Sequence, residues 1–313
     1  MLKTKKVALV SDSDSLSVDY DMPLIIDAFK RTHVEADVIF WDNTHPDWSM
    51  YDVVVLRSPW TYMEKVKPFI EFCQKVEQSS VLLNPLSVIE WNSDKSYLKL
   101  LEKQRVPIVP TEIIYSETEI QAALASLQDS DWEINEVVIK PTVGAYSFGV
   151  VRLSIDNSEK ITQHVRYLLQ LEKGVIFQPY LNTIEKHGET NMIYFDNTYS
   201  HAIKKEPLLA ERGETKKPDM EFRTLKDANS EEKALAKRIL DLVQSNLELS
   251  KPLLYARLDF IEDKNGMPLL LELEITEPSL SLPLTPKSVD FFVRSIIDRA
   301  QSKEVIAYQD LVV

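Results

Sequence analysis

Positive charge is what this chain has too little of. Its 36 Lys and Arg face 49 Asp and Glu, a formal net charge of −13. A general nucleic-acid or anionic-membrane binder is thereby excluded, since such partners are held by excess cations; a local basic pocket is not. Cysteine is nearly absent. Cys73 stands alone, so no internal disulfide forms and cytosol is the default setting. It falls in FIEFCQKVE, a helical pattern in which a core position is expected. The five histidines are far apart, without metal-ligand spacing, and no GxSxG nucleophile motif occurs. No apolar run approaches a membrane span. The opening MLKTKKVALVSDSD pairs basic residues with an apolar run too short for a signal peptide, so it reads as a first strand. Glycine is scarce, with six in the chain, so two within one hexapeptide stand out.

What is present first is alternation. KKVALVSD reads as a strand, MPLIIDAFKRT as a helix, ADVIFWD and DVVVLRSPW as strands, YMEKVKPFIEFCQKVEQ as a helix and SVLLNP as a strand. Short apolar strands alternating with amphipathic helices predict a doubly wound parallel sheet. Ligands of such sheets sit beyond the carboxyl ends of the strands. That places Ser11 to Ser15, the loop Arg57-Ser58-Pro59-Trp60 and Asn84 at a cleft. Arg57 there either reads a carboxylate or phosphate or is an ordinary surface arginine.

A boundary falls at 85 to 92. Beyond it, SDKSYLKLLEKQ predicts a helix capped by Ser93, with Lys95 in its first turn, where a cation opposes the helix dipole. PIVPTEII, NEVVIKP, GVVRLS and GVIFQPYL read as strands, ETEIQAALASL and SEKITQHVRYLLQLE as helices, and ETNMIYFDN with YSHAIKKEP as a hairpin. Residues 207 to 229 are polar and irregular and read as a mobile loop. SEEKALAKRILDLVQSNLEL and SVDFFVRSIIDRAQ complete the helices.

The stretch LLYARLDFIEDKNGMPLLLELEITEPSL carries the sharpest signal. YARLDFI and LLELEI alternate like half-buried strands, and Asn265-Gly266 between them is a strong two-residue hairpin signal. With that turn, Asp259 faces Glu272 and Arg257 faces Glu274, all on one face. A turn of odd length would break the register. Like charges directly opposite destabilise a sheet, so Asp259 and Glu272 ask for a cation. Clustered carboxylate oxygens suit Mg²⁺, and a Mg-nucleotide site requires phosphate ligands elsewhere. Gly144-Ala-Tyr-Ser-Phe-Gly149, between two strands, can cradle phosphate through backbone N–H groups; it is neither a P-loop nor a dinucleotide fingerprint. Lys140 ends the strand before it, and Lys204 and Lys205 end another.

In this order, Lys95, VVIKP with Lys140, GAYSFG, FQPYL, GET, AIKK and RLD with LELE, the chain resembles the ATP-grasp ligases over nearly its whole length. Asp259 and Glu272, thirteen residues apart, match that family's metal hairpin. LRSPW, SHAIKKEP and LELEITEPSL are similar to the branch containing the O-ureido-D-serine cyclo-ligase of D-cycloserine biosynthesis. The resemblance implies an α/β chain, α+β in its C-terminal part. A Rossmann-like doubly wound domain at 1–86 would precede a central ATP-grasp subdomain at 87–182 and a C-terminal one at 183–313.

It further implies ATP with Mg²⁺, two ions, Mn²⁺ being a substitute. Lys95, Lys140, Gly144, Ser147 and Lys205 would contact phosphates. Gln178, Pro179, Tyr180 and Leu181 would form the adenine hinge, and Glu189 would hold the ribose. Lys204 or Lys205 would approach the γ-phosphate, with Arg223 of EFRT and Arg257 at the reacting groups. Asp259, Glu272 and Glu274 would hold metal; many members carry Asn at the position of Glu274. Arg57, Ser58, Trp60 and Tyr62 would line the substrate cleft, a small amino-acid-like acid being the expected ligand, and 207 to 229 would be a lid. Implied is an ADP-forming ligase that converts a carboxylate to an acyl phosphate and joins it to an amine-type nucleophile, with no nucleic acid or membrane partner and a homodimer as the assembly common among relatives. The alternatives are a metal-dependent phosphohydrolase and a non-catalytic nucleotide-binding protein.

Overall fold

The computed structural model describes residues 4–42, 46–128, 134–145, 147–207, 209 and 223–309. Three sheets organise them. The first holds β1 (Lys6–Ser11), β2 (Glu35–Phe40), β3 (Val53–Ser58) and β4 (Val81–Leu83), in the order β2-β1-β3-β4, every pairing parallel. Helices α1 (Met22–Phe29) and α2 (Val66–Glu77) connect them. β1 and β3 are buried along almost every residue, and their near-continuous apolar runs reflect a sheet covered on both faces. Cys73 lies in the core on the buried face of α2, as its helical setting predicts.

α3 (Leu86–Asn92) and α4 (Tyr97–Lys103) lead to a second sheet of β5 (Glu112–Ile114), β6 (Glu136–Pro141), β7 (Val151–Ser154) and β8 (Val175–Pro179). Its order is β5-β8-β6-β7 and its pairings are antiparallel. α5 (Ile120–Gln128) and α6 (Ser158–Gln170) pack on it around Val137, Ile139 and Phe177. Ser93 is not the cap expected of it. It closes α3, its hydroxyl donating to Ile89 O at 2.5 Å, and α4 starts only at Tyr97. Lys95 therefore sits in the connector, where its backbone N–H donates to Thr142 O at 2.9 Å, rather than in a first helical turn.

The third sheet follows α7 (Thr183–His187). It holds β9 (Glu189–Phe195), β10 (Thr198–Lys205), β11 (Arg223–Lys226), β12 (Tyr255–Glu262) and β13 (Pro268–Glu274), in the order β11-β10-β9-β12-β13. Asp196 and Asn197, both at positive φ, make the predicted β9–β10 hairpin turn. The expectation of one irregular loop over 207–229 is corrected in part: Arg223–Lys226 is a strand paired with β10. The remainder of that expectation, 208 and 210–222, lies outside the described residues. α8 (Ser230–Asn246) covers one face, capped by the Asn229–Glu232 capping box. α9 (Pro286–Gln309) returns to the first sheet and packs against α1 as well as the β9 and β12 side chains Phe195 and Tyr255. No helix among the described residues is long and apolar enough to cross a membrane.

The β12–β13 hairpin is right in register and wrong in turn. Arg257 pairs with Glu274 and Asp259 with Glu272, as expected. The register then shifts between Asp259 and Phe260, so that Glu262 faces Pro268. The connection is an odd loop over 263–267, closed by Asp263 N donating to Met267 O at 2.8 Å and by the Asp263 carboxylate accepting from Asn265 N and Met267 N. Gly266 supplies positive φ within it. A β-bulge absorbs the extra residue and restores the face of the carboxylates.

Candidate active site

The second and third sheets face each other across one cavity, closed at its end by the first sheet's loops. Its inner wall is apolar: Val138, Ile184, Ile261, Leu271 and Leu273 flank the segment Gln178–Leu181. That segment is held by Tyr180 N donating to Glu136 O at 3.0 Å and by the Arg152 guanidinium stacked 3.5 Å from the Tyr180 ring. An apolar slot bounded by a strand-end backbone suits a flat heteroaromatic ring.

Toward the centre the wall becomes charged. Lys95 Nζ lies 3.2 Å from Glu272 and donates to Gly144 O at 2.7 Å; Lys140 Nζ lies 4.0 Å from the same carboxylate. Burial pulls the Lys140 amine down, with Glu272 opposing. Glu272, although buried, is held below the usual carboxylate range by Lys95 and Lys140. Arg257 grips Asp259 with two bonds of 2.8 Å and reaches Glu274 at 2.5 Å. Burial works against the guanidinium's charge, and the two carboxylates outweigh it. Glu274 is pushed up to about 8 by burial, against Arg257 and with the Asp259 charge adding.

Among the described residues no group of His, Cys, Asp and Glu is already gathered as a metal cluster. The donors are nevertheless hard oxygens, three carboxylates on neighbouring positions of one hairpin face. That chemistry fits Mg²⁺.

The structure gathers most of the predicted residues and leaves others, Ser11 to Ser15 among them, outside the cavity. Lys95, Lys140, Gly144, Ser147, Gln178 through Leu181, Glu189, Lys205, Arg223, Arg257, Asp259, Glu272 and Glu274 all line the cavity, as do Trp60 and Tyr62. Lys204 does not: strand alternation points its neighbour Lys205 inward, to 3.6 Å from Glu189, while Lys204 pairs with Glu206 at 3.1 Å. Arg57 and Ser58 do not reach it either. Arg57 is wholly buried beneath the Tyr255 and Phe292 rings, donating to Pro278 O at 3.1 Å, and the Ser58 hydroxyl bonds Ser11 at 2.8 Å. Asn84, read as a cleft residue, instead ties its amide to Tyr255 O and Ile275 O.

Sequence reasoning missed the loop after β13. Glu277, Ser279 and Ser281 line the cavity. Arg223 Nη1 donates to both serine hydroxyls at 3.3 Å, and Arg257 Nη1 donates to Ser279 O at 3.3 Å. Asn191, opposite Asp259 on β9, was missed too. The alternation of β9 marks it, since Glu189 and Asn191 share a face.

Two sheets clasping a cavity that is apolar at one end and lined by lysines, arginines and a carboxylate hairpin at the other define an ATP-grasp ligase. Solved ATP-grasp structures overlay on the chain at large: a RimK domain protein from Sphaerobacter thermophilus (17% identity, TM-score 0.64, 94% of this chain and 98% of that one) and the D-alanine–D-alanine ligase of Bacillus anthracis complexed with ATP (16%, TM-score 0.66, 96% and 98%). Much nearer is the crystal structure of D-cycloserine synthetase DcsG, with 36% identity, a TM-score of 0.89 and coverage of 94% of this chain and 99% of that one. The cycloserine biosynthesis protein DcsG of Streptomyces lavendulae is 36% identical over 293 residues, 94% of this chain and 98% of the relative. A family model described as the N-terminal domain of D-cycloserine synthetase DcsG matches residues 7–84. The chain belongs to the D-cycloserine synthetase family of ATP-grasp ligases and is an ATP-dependent ligase.

Proposed function

We propose that this enzyme phosphorylates the carboxylate of a small amino acid with ATP and closes the resulting acyl phosphate with a nitrogen of the same molecule, forming D-cycloserine or a close analogue. The observation that carries this is the match to DcsG along nearly the whole of both chains. D-Cycloserine is a ring closed through a carbonyl–nitrogen bond. Opening that bond gives an amino acid with a carboxylate at one end and an aminooxy nitrogen at the other, which is the acid proposed here.

A carboxylate is a poor electrophile, and transfer of the γ-phosphoryl group gives it a leaving group. Positioning and charge stabilisation supply most of the catalysis of such a transfer. The apolar slot at Gln178–Leu181 holds adenine and Glu189 holds the ribose. Lys95, Lys140 and Lys205 neutralise phosphate, with the backbone of Gly144 and Ser147 beside them. Arg257 and Arg223 face the reacting carboxylate and phosphoryl group, Arg223 being steadied by Ser279 and Ser281. Asp259, Glu272 and Glu274 would hold magnesium, two ions being our assignment, and the metal would stabilise charge developing on the phosphates.

The division into a domain at 1–86, a subdomain at 87–182 and another at 183–313 is our working assignment, with α9 bracing the first against the third. Small molecules, rather than nucleic acid or membrane, are the partners proposed, in the cytosol. The test is ADP release with Mg-ATP and the ring-opened acid, with the product identified by mass. ADP release coupled to formation of D-cycloserine supports the proposal; ADP release indifferent to the acid would favour a phosphohydrolase.

A further inference from the structure

Two carboxylates lining the cavity, Glu206 and Glu277, have no role in the nucleotide or metal assignments, and Glu206 is paired with Lys204 at 3.1 Å. Glu277 lies three residues beyond Glu274, past the end of β13, and faces the cavity beside Trp60, Tyr62 and Ser279. The Tyr62 hydroxyl and the Glu277 carboxylate are close enough to perturb each other's ionisation. Among the described residues no lysine, arginine or histidine stands at ion-pair distance from it, whereas Asp259, Glu272 and Glu274 each have one.

The position of Glu277 is fixed from outside its own loop. Trp60 Nε1 donates to Glu277 O at 3.0 Å, and Arg57 Nη2 donates to the next carbonyl, Pro278 O, at 3.1 Å. Asp21 accepts from Leu280 N at 2.6 Å and Leu282 N at 2.7 Å. The Tyr255 hydroxyl lies 2.9 Å from Leu56 O and 2.7 Å from Thr276 O. Four anchors, three of them from the first sheet and its loops, thus present one carboxylate to a cavity. Holding a partly desolvated carboxylate without a cation is unfavourable, and burial accordingly pushes its carboxyl up to about 7, the neighbouring Tyr62 hydroxyl and Lys95 opposing. A cation brought by a ligand would relieve it.

We propose that Glu277, presented to the cavity by its anchored loop beside Tyr62, binds the ammonium group of the amino-acid substrate and so makes the enzyme select amino acids over acids lacking the amine. The inference rests on the proposed amino-acid ligase reading. It assigns the two ends of the substrate: carboxylate toward Arg257 and Arg223, ammonium toward Glu277 and the aromatic pair Trp60 and Tyr62. Glu277 is three residues from Glu274 along one chain, so both ends fall within the reach of a small molecule.

The test is calorimetric titration of the full chain, loaded with Mg²⁺ and a non-hydrolysable ATP analogue, by D-cycloserine, D-serine and D-glycerate. D-Glycerate is D-serine with hydroxyl in place of ammonium. Wild type is expected to bind D-serine at least about tenfold more tightly than D-glycerate, the scale of one charge-assisted bond. Glu277→Gln should bring the two within about twofold while leaving the affinity for the nucleotide analogue unchanged, which shows that the cavity is intact. Tyr62→Phe should weaken D-serine more than D-glycerate. Equal binding of the two acids by wild type, an undiminished preference in Glu277→Gln, or binding of neither acid would overturn the inference. Preference for D-serine that depends on Glu277, with no binding of D-cycloserine, would sustain it and count against the cyclising reaction instead.

Discussion

Lys95 Nζ sits 3.2 Å from Glu272, so the lysine assigned to phosphate and the carboxylate assigned to metal neutralise each other in the absence of both ligands. Burial alone would draw a proton off Lys95, and the Glu272 carboxylate more than offsets it. Such a pair holds the charged groups of the cavity in place, and on the proposed assignment Mg-ATP would divide them between phosphate and metal.

Removing one partner should therefore be worse than removing both. Lys95→Met is expected to weaken ATP binding by about ten- to a hundredfold, the range for a lost charge-assisted contact. It should also leave Glu272 unpaired and lower the midpoint of thermal unfolding. Lys95→Met with Glu272→Gln should recover the unfolding midpoint without recovering ATP binding. Thermal melts and nucleotide titration of the three variants check both statements.

The pH response follows from Glu274 and Glu277, pushed up to about 8 and about 7 from a reference of 4.5. A carboxyl raised on folding takes up extra protons in the folded state. Its contribution to stability is full below 4.5 and is lost as pH rises through the folded value, so these two groups should destabilise the ligand-free protein between about pH 5 and about pH 8. Metal requires the ionised form. Mg-nucleotide affinity should climb over the upper part of that window, with protons released on binding. Calorimetry in buffers of different ionisation enthalpy measures that release directly.

Arg57 is expected to fail as a substrate residue and to matter as a structural one. Its guanidinium is wholly buried, and among the described residues Nε and Nη1 have no hydrogen-bond partner. Asp21, 3.7 Å away, is its counter-charge, and burial raises the Asp21 carboxyl against the pull of Arg57. Arg57→Met leaves Asp21 as an unpaired buried charge and should cost about 3–5 kcal/mol. Chemical denaturation measures this, and the folded fraction should keep the wild-type KM for ATP.

The hairpin turn offers a control. Gly266 has φ near 79°, and a Cβ there would meet nothing within 4 Å. Gly266→Ala should cost about 1 kcal/mol through backbone conformation alone. Turnover at saturating substrate should be unchanged, because the bulge at Asp259 and Phe260 separates the turn from the carboxylates.

The parallel sheet was legible because β1, β3 and β4 are short apolar runs divided by amphipathic helices. The cavity's cations and carboxylates were legible because each stands at a strand end or on a strand face, where period two applies. The hairpin shows how far that reasoning reaches. Asn265-Gly266 suggested a two-residue turn, and the bulge that compensates for the longer one has no mark in the sequence. Arg57 sits at a strand end like any cleft arginine, and only the tertiary packing of Tyr255 and Phe292 over it makes it a buried anchor. Glu277, Ser279 and Ser281 lie in an aperiodic loop whose shape is set by Asp21, Arg57 and Trp60, more than two hundred residues earlier in the chain. Ser93 looked like a cap because helix punctuation between α3 and α4 is shared by two serines, and Ser96 took the later position.

The central claim is that the carboxylate of the substrate accepts the phosphoryl group. It is tested by turning over Mg-ATP with the ring-opened acid of D-cycloserine, its carboxylate oxygens labelled with the heavy isotope, and weighing the phosphate released. An acyl phosphate hands one carboxylate oxygen to phosphate when nitrogen displaces it, so labelled phosphate is predicted, and Glu272→Gln should yield none above background. Unlabelled phosphate released at the wild-type rate would mean that the carboxylate is never phosphorylated, and would contradict the account.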